Sequence, residues 1–401
     1  MTREPRSYLI ILLAAVIAVT PLAVDMYLPA MPDIALSLNT HIGNVQQSLS
    51  IYLAAYACGM LLFGPLADQL GRRPLAIFGL TGFTLSSLGL MFANNIEMFL
   101  TLRTTQAFCG AAATVVVPGL VRHLYREHTA KGMSYLSMIM MLAPLLAPSI
   151  GSLILWVSEW HSIFLVIAAY GAVIFVLVWK WLPEIGKPID PHAKDKKVTF
   201  LSGYKTIFSN HQARPMIGSM MFGSFAFFCF ITAVSFLYIN YFGVSEQVFS
   251  ILFGLNVIFL MLTNFINSRL VTHYGPLHML RAGVLLGLIS ASVLCVVNYL
   301  ELGIAYSVIV IAPLMGGLSL MGTNSDAILL MKFPYNTGTA TAVAGTLRFG
   351  SGAFAGPMLA LFYTGTAMPF SLLMLAGVTG VLLCQIWYWY ANKNVTPSPQ
   401  Q

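Results

Sequence analysis

The chain alternates long apolar runs with short polar breaks, and the alternation repeats twelve times. Runs near 20 residues, the length that crosses a hydrocarbon core of about 30 Å, lie in residues 8–30, 45–66, 74–93, 98–121, 133–156, 161–182, 215–241, 246–268, 278–299, 302–331, 338–362 and 368–391. The longest break runs from Pro183 to Arg214 and divides the spans six and six. This pattern predicts an all-α membrane protein of twelve transmembrane helices in two pseudo-symmetric six-helix bundles, residues 1–182 and 215–401 with a short cytoplasmic tail. A cytoplasmic linker, residues 183–214, joins them, and within it 200–210 has the apolar spacing of a short helix lying on the membrane surface.

The two halves carry a degenerate repeat. Leu66–Gly71 aligns with Leu270–Gly275 at an offset of 204, and the same offset sets Ala147–Gly151 opposite Ser351–Ala355. Paired halves around a midplane site are the plan of a rocking transporter.

Composition agrees with a bilayer solvent: 58% of residues are hydrophobic and 8% charged, against about 25% charged in soluble domains. Of 20 Lys and Arg, 18 fall in breaks or at run ends that face the cytoplasm if the N-terminus is inside, as the preference of Lys and Arg for cytoplasmic segments predicts. Both termini are therefore expected in the cytoplasm. The net charge of +7 reads as a topology signal, so no nucleic-acid partner is expected. The first run is too long and lacks the cleavage site of a signal peptide, and is expected to be a retained helix. The five cysteines are dispersed through apolar runs, which fits neither a disulfide framework nor a metal cluster. No phosphate-binding loop follows a strand and no His-Glu-x-x-His occurs, so neither a cofactor, a metal nor enzymatic activity is expected.

Four charged residues stand inside the apolar runs, away from their ends. Asp25 stands in the first, where burial favours a protonated carboxyl and makes it the leading proton carrier; an outer-end position in contact with water is the alternative. Arg103 is the one charge in the fourth, and its permanent cation either organises polar partners around a proton site or satisfies backbone carbonyls. Asp326 and Arg348 lie in the tenth and eleventh, at depths of roughly 9 and 15 Å from the inner face at 1.5 Å per residue. Neighbouring depths suggest an ion pair, with a second proton site at Asp326 or an anion anchor at Arg348 as alternatives.

Three motifs carry a family resemblance. Gly64-x-Leu66-x-Asp68-x-x-Gly71-Arg72-Arg73 resembles the loop motif between helices 2 and 3 of the major facilitator superfamily. Leu102-Arg103-x-x-Gln106 resembles its helix-4 motif, although Ala107 replaces the first glycine. The fifth run, with Pro144, Pro148 and Gly151 in Ala-Pro-x-x-Ala-Pro-x-x-Gly, resembles helix 5 of the Bcr/CflA (bicyclomycin and chloramphenicol resistance) type of drug/proton antiporter. The resemblance implies the major facilitator fold and proton-driven export of drug-like or amphiphilic molecules across a bacterial inner membrane, with Asp25 and Arg103 in proton coupling and Gly64, Asp68, Gly71, Arg72 and Arg73 at an inner gate.

Asp326 and Arg348 depart from the family pattern and leave room for an anionic metabolite or metallophore as cargo. A symporter importing a nutrient is the other transport reading, and a membrane-embedded enzyme or solute-sensing receptor the reading from a different class. Substrate-cavity candidates are Tyr27, Tyr52, Tyr56, Gln106, Phe227, Phe228, Phe236, Tyr238 and Asn240, since aromatic walls with few polar anchors suit amphiphiles; interhelical packing is their alternative. The expected partners are a small-molecule substrate, protons and the lipid bilayer, around a functional monomer.

Overall fold

The computed structural model describes residues 7–125, 129–183, 207–333 and 337–393. Most of the linker and the larger part of its surface helix therefore lie outside the described residues. The rest is helical: α1 (Ser7–Asp25), a 3-10 turn (Leu28–Ala30), α2 (Met31–Ser37), α3 (Ile42–Leu70), α4 (Arg72–Leu90), α5 (Ile96–Val115), α6 (Val117–Tyr125), α7 (Thr129–Val157), α8 (His161–Trp181), α9 (Arg214–Ser235) with a π-helical extension (Phe236–Tyr241), α10 (Glu246–Tyr299), α11 (Ile304–Met331), α12 (Thr337–Gly352), α13 (Ala355–Leu361) and α14 (Met368–Lys393).

Among the described residues, eight helices are long and apolar enough to cross a membrane. One of these, α10, has 54 residues and leaves helical geometry at Gly275, so it supplies two passes. Together with α4, α7 and the broken α12–α13, twelve helical passes are accounted for.

The chain divides into two compact units, one of Met1–Lys196 with Val234–Gly254, the other of Lys197–Ala233 with Leu255–Gln401. In the first, α5 packs between α3 and α4, α8 lies on α4, and α1 runs beside α7. In the second, a buried apolar cluster that includes Ile217, Met220, Leu329, Val343 and Ala344 joins α9, α11 and α12.

The offset of 204 read from the sequence recurs in the backbone. Gly71 turns the chain from α3 to α4 with φ 97° and ψ 151°, and Gly275 breaks α10 with φ 77° and ψ 159°. Both sit in a region that only glycine occupies without strain. Eight residues on, the offset repeats as packing. A Cβ at Gly79 would strike the backbone of Cys109 and Ala113, and a Cβ at Gly283 would strike Gly317 and Leu320. Close backbone approach through small residues is how helices associate without a hydrophobic drive from lipid.

Candidate functional site

Arg103, on α5, is completely buried in the first unit. Its surroundings follow from how α1 ends. Pro29 restricts the residue before it and removes a backbone donor, so α1 stops at Asp25 and its last carbonyls lose their helical partners. Arg103 takes one of them: Nη1 donates to the Ala23 oxygen at 3.0 Å and to Gln106 Oε1 at 2.7 Å. A cation at a helix C-terminus is favourable by about 0.3–2 kcal/mol. Gln106, one turn along, is held by its own donation to Ser87 Oγ at 2.8 Å.

Aromatic faces close the rest of the cage. The guanidinium carbon lies 4.3 Å from the Tyr27 ring centre and 4.5 Å from that of Tyr52, and each such contact contributes up to about 2 kcal/mol when water is excluded. Tyr27 is fixed by a 3.1 Å hydrogen bond with Ser48, and Tyr56, stacked on Tyr52, by a 2.7 Å bond with Thr114. Two guanidinium donors, Nε and Nη2, remain buried without a partner. The acid two residues from the Ala23 cap, Asp25, is 4% exposed. Among the described residues no ion pair joins it to Arg103, and these two are the only buried side chains of the Asp, Glu, Lys and Arg types.

The inner turn of the first unit is tied down by its arginines. Arg72 donates to the Gly119 carbonyl at 2.7 Å, and Arg73 to that of Trp179 at 2.6 Å in the last turn of α8, where free carbonyls seek a cationic donor. Gly64 and Asp68 lie on the last turns of α3, the side chain of Asp68 being outside the described residues.

On α7, both Pro144 and Pro148 are inside one helix, and a Cβ at Gly151 would run into the Met26 carbonyl. That close approach seats α7 against the turn after α1. One residue on, Ser152 donates its hydroxyl proton to the Glu246 carbonyl at 2.8 Å, and Ser250 donates its own to the Pro148 carbonyl at 3.0 Å. The start of α10 is thus fastened to α7 inside the first unit.

The remaining candidates separate. Tyr27, Tyr52, Tyr56 and Gln106 gather with Arg103, whereas Phe236, Tyr238 and Asn240 ride the π-helical extension, with Tyr238 buried against Phe249 and Asn240 exposed. Phe227 and Phe228 belong to the second unit, where Phe228 packs on Phe349 with ring centres 5.8 Å apart. There Asp326 and Arg348 form an ion pair through Oδ2 and Nη2. The sequence reading did not single out Ser48, Ser87, Thr114, Ser152 or Ser250. Their signal is a small polar residue inside an apolar run, too common to stand out alone.

Residues 13–357 match the Major Facilitator Superfamily. The chain belongs to this superfamily. It is accordingly a multi-pass membrane transporter of small molecules and not an enzyme. It is 31% identical to a bicyclomycin resistance protein homolog of Haemophilus influenzae over 98% of this chain and 99% of that one. It is 26% identical to multidrug resistance protein D of Escherichia coli over 98% of both, and 29% identical to a chloramphenicol resistance protein of Pseudomonas aeruginosa over 69% of this chain and 65% of the other. The transporter's relatives are therefore of the Bcr/CflA type. Its fold is shared with the crystal structures of the nucleoside transporter NupG (TM-score 0.72, 12% identity, 96% and 98% of the two chains) and of a bacterial homolog of the human lysosomal transporter Spinster (TM-score 0.72, 14% identity, 100% of both).

Proposed function

We propose that this transporter is a proton-driven antiporter of the bacterial inner membrane that exports drug-like, amphiphilic molecules by alternating access. The observation that carries the reading is the pair of buried charged side chains in the first unit. Arg103 has its charge met by rings, an amide and a carbonyl, and this leaves Asp25 unclaimed by any ion pair among the described residues. A carboxyl kept from a salt bridge is free to take up and give back a proton, which is what coupling requires. The names of the relatives, which speak of resistance to bicyclomycin, chloramphenicol and several drugs, supply the direction and the class of solute.

In this mechanism the proton enters from outside and resides on the Asp25 carboxyl, at the end of a helix that Arg103 grips at Ala23. Losing the proton places a negative charge two residues from that grip, so proton occupancy and the position of the end of α1 are linked through one guanidinium. The Arg72 and Arg73 anchors act as the inner gate, holding the start of α4 to α6 and to the end of α8 while the cytoplasmic side is shut. Reconstituted protein in liposomes with an imposed pH gradient tests the reading. Accumulation of ethidium against its gradient that collapses with a protonophore is expected; uptake indifferent to the pH gradient would refute it.

A further inference from the structure

The Asp326–Arg348 pair takes no part in the scheme above, and its geometry is unfinished. Arg348 meets Asp326 through a single nitrogen, and the second carboxylate oxygen, Oδ1, is buried with no donor. A charged pair kept only to bridge two helices gains most from the two-pronged contact in which both oxygens and both guanidinium prongs are used. Here the other prongs are uncommitted among the described residues, while the side chains remain 38% (Arg348) and 27% (Asp326) exposed. Both stand well inside their helices, five residues before the end of α11 and eleven after the start of α12. A half-open charged pair at that depth cannot face lipid; intramembrane charges face protein or a water-filled cavity. The next residue, Phe349, packs on Phe228, and Gly352 lets α12 come close enough for that contact, since a Cβ there would collide with the Phe228 ring. A half-exposed cation, an anion with one unanswered oxygen and an aromatic contact are thus neighbours in the second unit.

We propose that this pair is a substrate subsite for zwitterionic aromatic solutes, whose carboxylate goes to the open prongs of Arg348 and whose protonated amine goes to Asp326. A zwitterion inserts between the two and leaves each charge paired. A solute with one charge leaves the other partner of the pair uncompensated, which is unfavourable away from bulk water. The inference rests on the export reading in taking the open face as reachable by solute, and it names the solute class.

The test is equilibrium binding to the purified full-length transporter in nanodiscs, without any gradient. Three forms of one scaffold serve as probes: norfloxacin, its ethyl ester (amine charge only) and its N-acetyl derivative (carboxylate charge only). The wild type should bind norfloxacin about tenfold more tightly than either single-charge form, equivalent to about 1.4 kcal/mol. Arg348→Gln should erase the preference over the ester, and Asp326→Asn the preference over the N-acetyl form. If a single variant fails to fold, the double variant Asp326→Asn with Arg348→Gln, which leaves no charge unpaired, should fold and bind all three forms within about twofold of each other. Equal binding of the three forms by the wild type, no binding at all, or a preference that persists in the double variant would each overturn the proposal. Norfloxacin bound with this charge pattern but no proton-driven ethidium uptake would refute export and leave the subsite standing. Proton-driven ethidium uptake without the charge pattern would do the reverse.

Discussion

The two units solve the same problem, a guanidinium inside a membrane protein, in opposite ways. In the first, Arg103 is wrapped by two tyrosine rings, a helix-end carbonyl and Gln106, and among the described residues it is in no ion pair. In the second, Arg348 is half open and answered by an acid, Asp326. The difference decides what the nearby carboxylates can do. An acid paired with an arginine has its charge answered, whereas an acid in no ion pair is available to exchange a proton with its surroundings. The proposed proton coupling accordingly falls in the first unit and the proposed solute charge recognition in the second.

Replacing the two arginines gives the sharpest contrast in stability. Arg103→Gln removes two cation–π contacts and a charged cap and should lower thermal unfolding stability by about 2–4 kcal/mol, while Arg348→Gln, half exposed, should cost roughly half as much. Equal losses would remove the distinction between a caged and an open cation. Next in size is the coupling within the open pair. A double-mutant cycle over Asp326→Asn and Arg348→Gln should return an interaction of about 1–3 kcal/mol, read from the same unfolding curves, with the double variant more stable than the worse single one. A cycle that closes to zero would mean the contact contributes nothing.

The shared backbone device supplies a case where the units should behave alike. Gly71→Ala and Gly275→Ala each force a side chain into positive φ and should each cost about 1–2 kcal/mol. Being far apart in the chain and in different units, they should add to within about 0.5 kcal/mol; a cost at only one would show that the repeat is not mechanical there. The smallest effect belongs to the edge of the Arg103 cage. Tyr56→Phe deletes the hydroxyl bonded to Thr114 and should cost about 0.5–1.5 kcal/mol while leaving ethidium transport in place.

The fold was legible because lipid imposes a coarse rule: runs near 20 apolar residues, broken by arginines and glycines, map onto passes with little ambiguity. The Leu66–Gly71 and Leu270–Gly275 alignment needed only short similar stretches, and the same offset then relates Gly71 to Gly275 and Gly79 to Gly283 in the structure. Charged residues in apolar runs were equally visible, since each is conspicuous against its neighbours. What the sequence did not carry is rotation about each helix axis. Whether Arg103 meets Asp25 or the carbonyl of Ala23 depends on tens of degrees of twist and on where α1 stops, and the passes show weak amphipathic periodicity because lipid and helix neighbours are both apolar. For the same reason Ser152 and Ser250, distant in sequence and ordinary in type, gave no warning that they meet.

The division of labour between the two acids is tested most directly by ethidium uptake into liposomes under a one-unit pH gradient, comparing Asp25→Asn with the double variant Asp326→Asn and Arg348→Gln. One proton exchanged for one monovalent cation moves no net charge, so a one-unit gradient, about 1.4 kcal/mol, sustains about a tenfold accumulation. Asp25→Asn should equilibrate ethidium without accumulating it, and the double variant should accumulate it as the wild type does. Accumulation by Asp25→Asn, or its loss in the folded double variant alone, would contradict the assignment of proton coupling to the first unit.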